Sequence, residues 1–135
     1  MERRRYGNQG RGFFEVVMMR TNFTMEDKYI RMVRGDTLSF GVQVCDEEGA
    51  PFGQDLERAY FTCKSNRSDN RFLFKKSLSD GVSKVGQGAY VVRVAPSDTA
   101  GAKPGKYFYD FEIGCNGDVF TIMRGVLEIM QDVTF

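Results

Sequence analysis

The sequence predicts a single all-β domain, an antiparallel β-sandwich of about seven strands preceded by an amino-terminal extension. The 135 residues include 12 Phe and 6 Tyr, and aromatic residues favour the half-buried faces of pleated strands. Short runs of alternating apolar and polar residues recur from residue 27 onward, separated by turn residues. No long stretch has helical periodicity, and a chain of this length is typical of one domain.

The first 26 residues differ in composition from the rest of the chain. Residues 1–26 are predicted to be a basic arm or linker, because their start is polar, glycine-rich and aperiodic. One strand can be added over residues 13–19, and an exposed strand can pair with a neighbouring subunit by β-augmentation. The predicted interface residues are Phe13, Phe14, Val16 and Val17. An alternative is that the native product begins at Met25, without the arm.

The predicted domain covers residues 27–135 and contains seven strands. They are expected at Tyr29–Val33, Thr37–Cys45, Ala59–Lys64, Phe72–Lys76, Ala89–Val94, Lys106–Cys115 and Val119–Met130. Strict alternation places Phe72 and Phe74 on one face of the fourth strand. Residues 80–88 are predicted to be a loop.

Turn residues punctuate these strands. Gly35 and Asp36 are predicted to form a structural turn after the first strand. Asn116-Gly117 predicts a type I′ hairpin, because both central positions of that turn need a positive φ. Gly125 is expected to mark a bulge or bend in the last strand.

A crossing loop is predicted at residues 95–104. It is expected to begin with one helical turn, capped by the side chain of Ser97 or Asp98. The following strand brings Tyr107 and Tyr109 close to this loop. The pattern predicts a tyrosine corner, in which one of these phenols bonds back to the backbone of the crossing loop.

Several segments together resemble an immunoglobulin-like domain of tailed bacteriophages and prophages. They are Ile30-Arg31-Met32-Val33-Arg34-Gly35-Asp36-Thr37, Phe74-Lys75-Lys76-Ser77-Leu78, Tyr90-Val91-Val92-Arg93-Val94-Ala95-Pro96-Ser97-Asp98-Thr99-Ala100, Gly105-Lys106-Tyr107-Phe108-Tyr109-Asp110-Phe111-Glu112-Ile113 and Asp132-Val133-Thr134. Within that group, the chain is similar to the amino-terminal domain of baseplate upper proteins. The resemblance covers residues 27–134, whereas the basic arm lies outside the pattern. Such domains usually head a longer chain.

The resemblance implies an immunoglobulin-like sandwich in a virion component that is assembled in the bacterial cytoplasm. Its expected partners are other tail or baseplate proteins, or further copies of itself in a homo-oligomer. The resemblance also gives Arg34-Gly35-Asp36 a structural role, rather than the integrin-binding role that the tripeptide has in adhesion proteins.

The residue inventory favours a non-enzymatic protein without a metal or cofactor. The chain contains no His, which removes the commonest general base and metal ligand. A calcium site formed by acidic side chains is an alternative to a solvated loop, although the spacing is not that of an EF-hand. Its ligands would come from Asp46, Glu47, Glu48, Asp55 and Glu57.

The three cysteines are expected to be reduced and mostly buried. Cys115 shares the inward parity of its strand, whereas Cys45 has the opposite parity to Val42 and Val44, so these two thiols are not expected to face each other. Cys63 lies between them in sequence.

The net charge of +1 gives no global field that would attract nucleic acid or a membrane surface. No apolar run approaches the roughly 20 residues that a membrane helix needs, and no signal peptide is recognisable. The predicted function is a structural or assembly domain of a phage or prophage tail or baseplate, with no small-molecule substrate. The alternative is a carbohydrate- or cell-surface-binding β-sandwich module that stacks exposed Tyr or Phe on its ligand.

Overall fold

The computed structural model describes residues 29–45 and 50–133 in full, and the backbone of the strands at residues 3–8, 12–21 and 24–26. Its elements are β1 (Arg3–Asn8), β2 (Gly12–Thr21), β3 (Thr24–Glu26), β4 (Tyr29–Val33), β5 (Leu38–Cys45), β6 (Arg58–Lys64), β7 (Phe74–Leu78), β8 (Gly81–Gly86), β9 (Ala89–Val94), α1 (Pro96–Thr99), β10 (Gly105–Cys115) and β11 (Asp118–Met130). The described residues are therefore all-β apart from one helical turn.

The eight strands from β4 to β11 form one mixed sheet that curls into a nearly closed barrel. Their order is β5-β9-β8-β7-β6-β10-β11-β4, and β2 with β1 continues the order beyond β5, while β3 continues it beyond β4. The pairs β4–β11 and β7–β8 are parallel, and the others are antiparallel. The predicted immunoglobulin-like antiparallel sandwich of seven strands is therefore wrong, because the sheet is continuous and contains an additional strand.

The continuity of the sheet depends on a kink between β7 and β8. The Ser77 N–H donates to the Asp80 carbonyl at 2.9 Å, and the Asp80 N–H donates back to the Ser77 carbonyl at 2.8 Å. Positive φ angles at Ser79 and Gly81 turn the backbone sharply. Strand β7 pairs with β6, whereas β8 pairs with β9. The chain thus passes from pairing with β6 to pairing with β9 within one sheet. In a sandwich, these two pairs would belong to separate sheets.

Strand β8 occupies much of the segment that was predicted to be a loop. It buries a single side chain, Val82, and its last four residues are exposed. A strand at the surface with one inward residue has no alternating pattern over several positions, which is the signal that strand prediction uses. The prediction of a loop at residues 80–88 is therefore wrong for most of that segment.

Two further predictions fail at single positions. Phe72 precedes β7 and is 52% exposed, whereas Phe74 is 4% exposed, so they do not share a buried face. The bulge in β11 lies opposite Phe111 and Glu112, which pair with Met123 and Thr121. The extra residue is Ile122 and not Gly125.

The long hairpin of β10 and β11 follows the prediction. Asn116 and Gly117 have φ angles of 54° and 81°, which confirms that both positions of the turn are left-handed. The inward side chains of β10 are buried, as the alternation predicts: Tyr107, Tyr109, Phe111, Ile113 and Cys115.

The ring of Phe61 lies at the centre of the barrel core. Its side chain is completely buried. Its centroid lies 5.4 Å from Phe40, 6.0 Å from Phe74, 5.5 Å from Tyr109 and 6.1 Å from Phe111. These neighbours come from β5, β7 and β10, so one ring from β6 contacts strands on both sides of the barrel.

The three cysteines are all buried in this structure, which confirms the prediction of their burial. Burial raises the pKa of Cys63 to about 12. Desolvation also raises the pKa of Cys115. Because the thiolate is the reactive form, both groups remain protonated and weakly nucleophilic at neutral pH.

Replacing Phe61 with Ala is expected to lower the free energy of unfolding by about 3–5 kcal/mol, because it removes a ring from the centre of a packed core. The matched control is Phe72→Ala, which should change it by no more than about 0.5 kcal/mol, since the ring is half exposed. Urea denaturation followed by circular dichroism measures both. A loss below about 1 kcal/mol for Phe61→Ala would contradict this description of the core.

Candidate functional site

One end of the barrel joins motifs that are distant in sequence. We call it the crossing end, and it is formed by residues 34–37, 95–104 and 131–133. The Gly35 N–H donates to the Thr99 hydroxyl at 2.9 Å, and Thr99 is completely buried. Gly35 has a φ of +82°, a conformation that favours glycine. The first turn of the domain is therefore bonded directly to α1.

A second link at the crossing end involves Arg34. Its Nε and Nη2 lie 2.9 Å and 2.8 Å from the same Asp132 oxygen, Oδ1. Its Nη1 donates to the Ala102 carbonyl at 3.3 Å. Both charged side chains are less than a fifth exposed, and such charge-assisted bonds are stronger than neutral ones. Arg34 thus holds the segment after β11 against the crossing loop.

Asp98 stabilises the helical turn within the crossing loop. Its Oδ2 accepts a hydrogen bond from the Ala95 N–H at 2.7 Å, so it satisfies a donor at the start of α1. The same oxygen lies 2.6 Å from Lys76 Nζ. Of the two predicted capping residues, Asp98 makes this bond, and it also connects α1 to β7.

The tyrosines of β10 have separate positions. The Tyr107 hydroxyl donates to the Lys103 carbonyl at 2.8 Å, which attaches the strand to the crossing loop. Burial is the main cause of the raised pKa of Tyr107. Tyr109 lies deeper, packed against Phe61. The structure therefore gathers Gly35, Asp36, Asp98 and Tyr107 at the crossing end, with Tyr109 in the adjoining core.

The predicted interface residues are in β2. The backbone of this strand pairs with both β1 and β5 of the same chain. The side chains of Phe13, Phe14, Val16 and Val17 lie outside the described residues, so their predicted contact role remains a prediction. Asp46, Glu47 and Glu48 also lie outside the described residues.

The remaining candidate calcium ligands make other contacts. Asp55 forms an ion pair with Lys84, and a Glu57 carboxylate oxygen accepts a bond from the Gly117 N–H at 3.3 Å. Across the described ranges, no group of three or more His, Cys, Asp or Glu side chains is placed to hold a metal ion. No helix in the described part of the chain is long and apolar enough to cross a membrane.

Cations cover aromatic rings on the outer face of the sheet. Lys75 Nζ lies 4.4 Å from the centroid of Tyr60, and Arg67 Cζ lies 4.5 Å from the centroid of Phe108. Each such contact is attractive because the ring face is electronegative. This face therefore presents positive charges stacked on aromatic rings, which the sequence prediction did not identify.

A further cation–π contact belongs to a hydrogen-bond network between β4 and β11. Tyr29 donates its hydroxyl proton to Glu128 Oε1 at 2.7 Å, and Arg31 Nε contacts the same oxygen at 3.3 Å. Arg31 Cζ also lies 4.9 Å from the Tyr29 ring centroid. The Tyr29 bond is the main cause of the lowered pKa of Glu128, and the carboxylate in turn raises the pKa of Tyr29.

A small depression lies beside the Arg67–Phe108 pair. We call it the outer pocket, and its volume is about 120 Å³. Strands β6, β10 and β11 and the loop after β6 form it. Its lining residues are Thr62, Lys64, Arg67, Phe108, Tyr109, Asp110, Arg124 and Gly125. Sequence reasoning missed this pocket, because the β6–β10 pairing that brings Thr62 opposite Asp110 joins strands far apart in the chain.

No protein-family model matches this chain, and no curated protein matches it significantly.

Replacing Thr99 with Val is expected to lower the free energy of unfolding by about 1–2 kcal/mol, because the isosteric side chain leaves the Gly35 N–H without its acceptor. Amide exchange at Gly35 should also become at least tenfold faster. Thr99→Ser retains the hydroxyl and should keep the slow exchange. Equal exchange rates in the two variants would contradict the role of this bond.

The Tyr29–Glu128 bond predicts a pH effect. Tyr29→Phe should raise the pKa of Glu128 towards its ordinary value, because the variant removes the main donor that stabilises the carboxylate. A lowered folded-state pKa stabilises the fold at neutral pH, and this contribution is lost as the pH falls through that pKa. Carboxyl ¹³C shifts titrated by NMR measure the change, with Tyr60→Phe as the control. An unchanged Glu128 pKa in Tyr29→Phe would contradict this prediction.

Proposed function

We propose that the protein is a non-enzymatic structural domain of a phage or prophage tail or baseplate, and that it acts through protein–protein contacts. The observation that carries this proposal is the structure of the crossing end. The segments that resemble the phage domains supply Gly35, Thr99 and Asp132, and the side chain or backbone of each bonds to another of these segments. These segments therefore act as a scaffold.

This support comes from the motifs and not from the sandwich that the resemblance implied. The Arg34–Asp132 pair, the Gly35–Thr99 bond and the Asp98 cap are local arrangements, and they hold turns and crossings in place whether the sheets close into a barrel or remain apart. A fold does not determine function, so the proposal rests on the bonds that these residues form and not on the architecture of the sheet.

The chemistry of the interior is consistent with a structural role. The two thiols with shifted pKa values are both shifted towards the protonated, unreactive form. Tyr107 uses its hydroxyl to bond the crossing loop. The interior groups thus serve the fold, and the proposed contacts with partners are assigned to the outer surface.

A second candidate function, carbohydrate or cell-surface binding, is favoured by one surface groove. Phe72 is half exposed beside Arg71, Lys103 and Tyr107, in an open groove of about 420 Å³. An exposed ring next to hydrogen-bonding side chains is suited to stacking on a sugar. Binding to a glycan array that disappears in Phe72→Ala would favour this second function.

The proposed function predicts that the chain is a component of phage particles. An antibody raised against the full chain and coupled to gold should label the tail or baseplate of particles purified from the producing host. Negative-stain electron microscopy locates the label, and an antibody against a capsid protein of the same particles is the control. If capsids are labelled by their own antibody but tails remain unlabelled and the chain stays in the particle-free fraction, the proposal is wrong.

A further inference from the structure

The outer pocket carries more positive than negative charge. Lys64, Arg67 and Arg124 line it together with a single carboxylate, Asp110. Within the described ranges, none of these three cations forms an ion pair. Asp110 lies directly opposite Arg124 in the β10–β11 ladder, so the four charged side chains that line the pocket leave a net charge of about +2. An incoming anionic group would therefore be attracted to this position.

The geometry of the pocket suits a carboxylate. The guanidinium of Arg67 lies over the Phe108 ring, 4.5 Å from its centroid. This contact already restricts the Arg67 side chain in the free protein, so binding removes less of its conformational entropy. A guanidinium fork matches the two oxygens of a carboxylate. The volume of about 120 Å³ is below the roughly 300–1,000 Å³ of typical small-molecule sites. The pocket therefore fits the end of an acidic side chain better than a whole small ligand.

The chain itself carries a matching segment. Asp46, Glu47 and Glu48 are the only three consecutive acidic residues in the sequence, and we call them the acidic segment. Their neighbour Cys45 ends β5, at the opposite end of that strand from the crossing end. Lys64 ends β6 at the crossing end, beside the loop that carries Arg67. The pocket thus lies towards the crossing end of the barrel, whereas β5, which the acidic segment follows in sequence, ends at the opposite end.

We propose that the outer pocket binds the acidic segment of a second copy of this chain. The inference rests on the proposed function and names one contact through which the domain would assemble. Because the two surfaces differ, the contact is heterologous, or head-to-tail. Repeated contacts of this kind generate closed rings or open filaments, whereas a contact between identical patches stops at a dimer.

Charge reversal tests the contact on the full-length chain. The pocket variant carries Lys64→Glu and Arg124→Glu, and the segment variant carries Glu47→Lys and Glu48→Lys. The matched control carries Lys103→Glu and Arg93→Glu, which reverses one exposed Lys and one exposed Arg outside the pocket. Circular dichroism melting establishes that each variant is folded. Light scattering after size-exclusion chromatography gives the masses at about 0.1 M salt, where charges interact over about 10 Å.

The wild type and the control should form assemblies that are multiples of the 15.4 kDa chain, and raising the salt concentration should dissociate them. The pocket variant and the segment variant should each elute as folded monomers. An equimolar mixture of the two should assemble again, because the acidic segment of one fits the pocket of the other, and the reversed charges also match. Recovery in the mixture is an effect that simple destabilisation does not produce.

Three results would overturn the inference. They are a wild type that stays monomeric, a pocket variant that assembles normally, or a mixture of folded variants that does not recover. Normal assembly by the pocket variant together with failure of the segment variant would mean that the acidic segment binds elsewhere, for example at Arg3, Arg4 and Arg5. Tail-labelled particles combined with a monomeric wild type would overturn this contact and leave the proposed function intact.

Discussion

The bond between the Gly35 N–H and the Thr99 hydroxyl spans the place where the barrel is incomplete. In the eight-strand order, β5 and β4 are the two ends, yet they follow each other in the chain through residues 34–37. Two backbone bonds hold part of this turn: the Arg34 N–H donates to the Met130 carbonyl at 2.9 Å, and the Asp36 N–H donates to the Val33 carbonyl at 3.1 Å. Thr99 and the Arg34–Asp132 pair add side-chain bonds from other parts of the chain. The position of Thr99 in turn depends on Asp98, which stabilises the helical turn, and on Tyr107, which attaches the crossing loop to β10.

The core and the kink between β7 and β8 determine the rest of the architecture together. Phe61 contacts rings from β5, β7 and β10, an arrangement that a sandwich could also provide between two facing sheets. The backbone decides between the two folds. The paired bonds of Ser77 and Asp80 carry the ladder from β7 into β8, so the two halves remain one sheet. The same apolar residues therefore fill a barrel instead of the space between two layers.

This division explains how much of the fold the sequence reveals. Strands with several inward side chains, such as β10, and turns with a strong φ requirement, such as Asn116-Gly117, have local signals and are predicted well. Strand β8 has one buried residue and so lacks an alternating pattern. Ser79 has a positive φ, but serine has no preference for that conformation from which the turn could be predicted. The difference between a sandwich and a barrel rests on these few residues, so the all-β class is predictable and the closure is not. Gly35, Asp98 and Tyr107 were identified because turns and caps have local signatures, whereas the outer pocket depends on pairing between distant strands.

The distribution of polar contacts also bears on how such a domain could assemble. At the crossing end, the side chains of Arg34, Asp98, Thr99 and Asp132 are largely buried and form hydrogen bonds or ion pairs, so altering them would first affect the fold. On the outer face, by contrast, Arg67 and Lys75 lie over aromatic rings, which do not neutralise their charge. Charges on such a surface attract a partner and select its orientation, because electrostatic complementarity contributes more to the specificity of binding than to its affinity. A head-to-tail contact between this face and the acidic segment would then fix the rotation that relates one subunit to the next. That rotation would determine whether the subunits close into a ring or continue as an open filament.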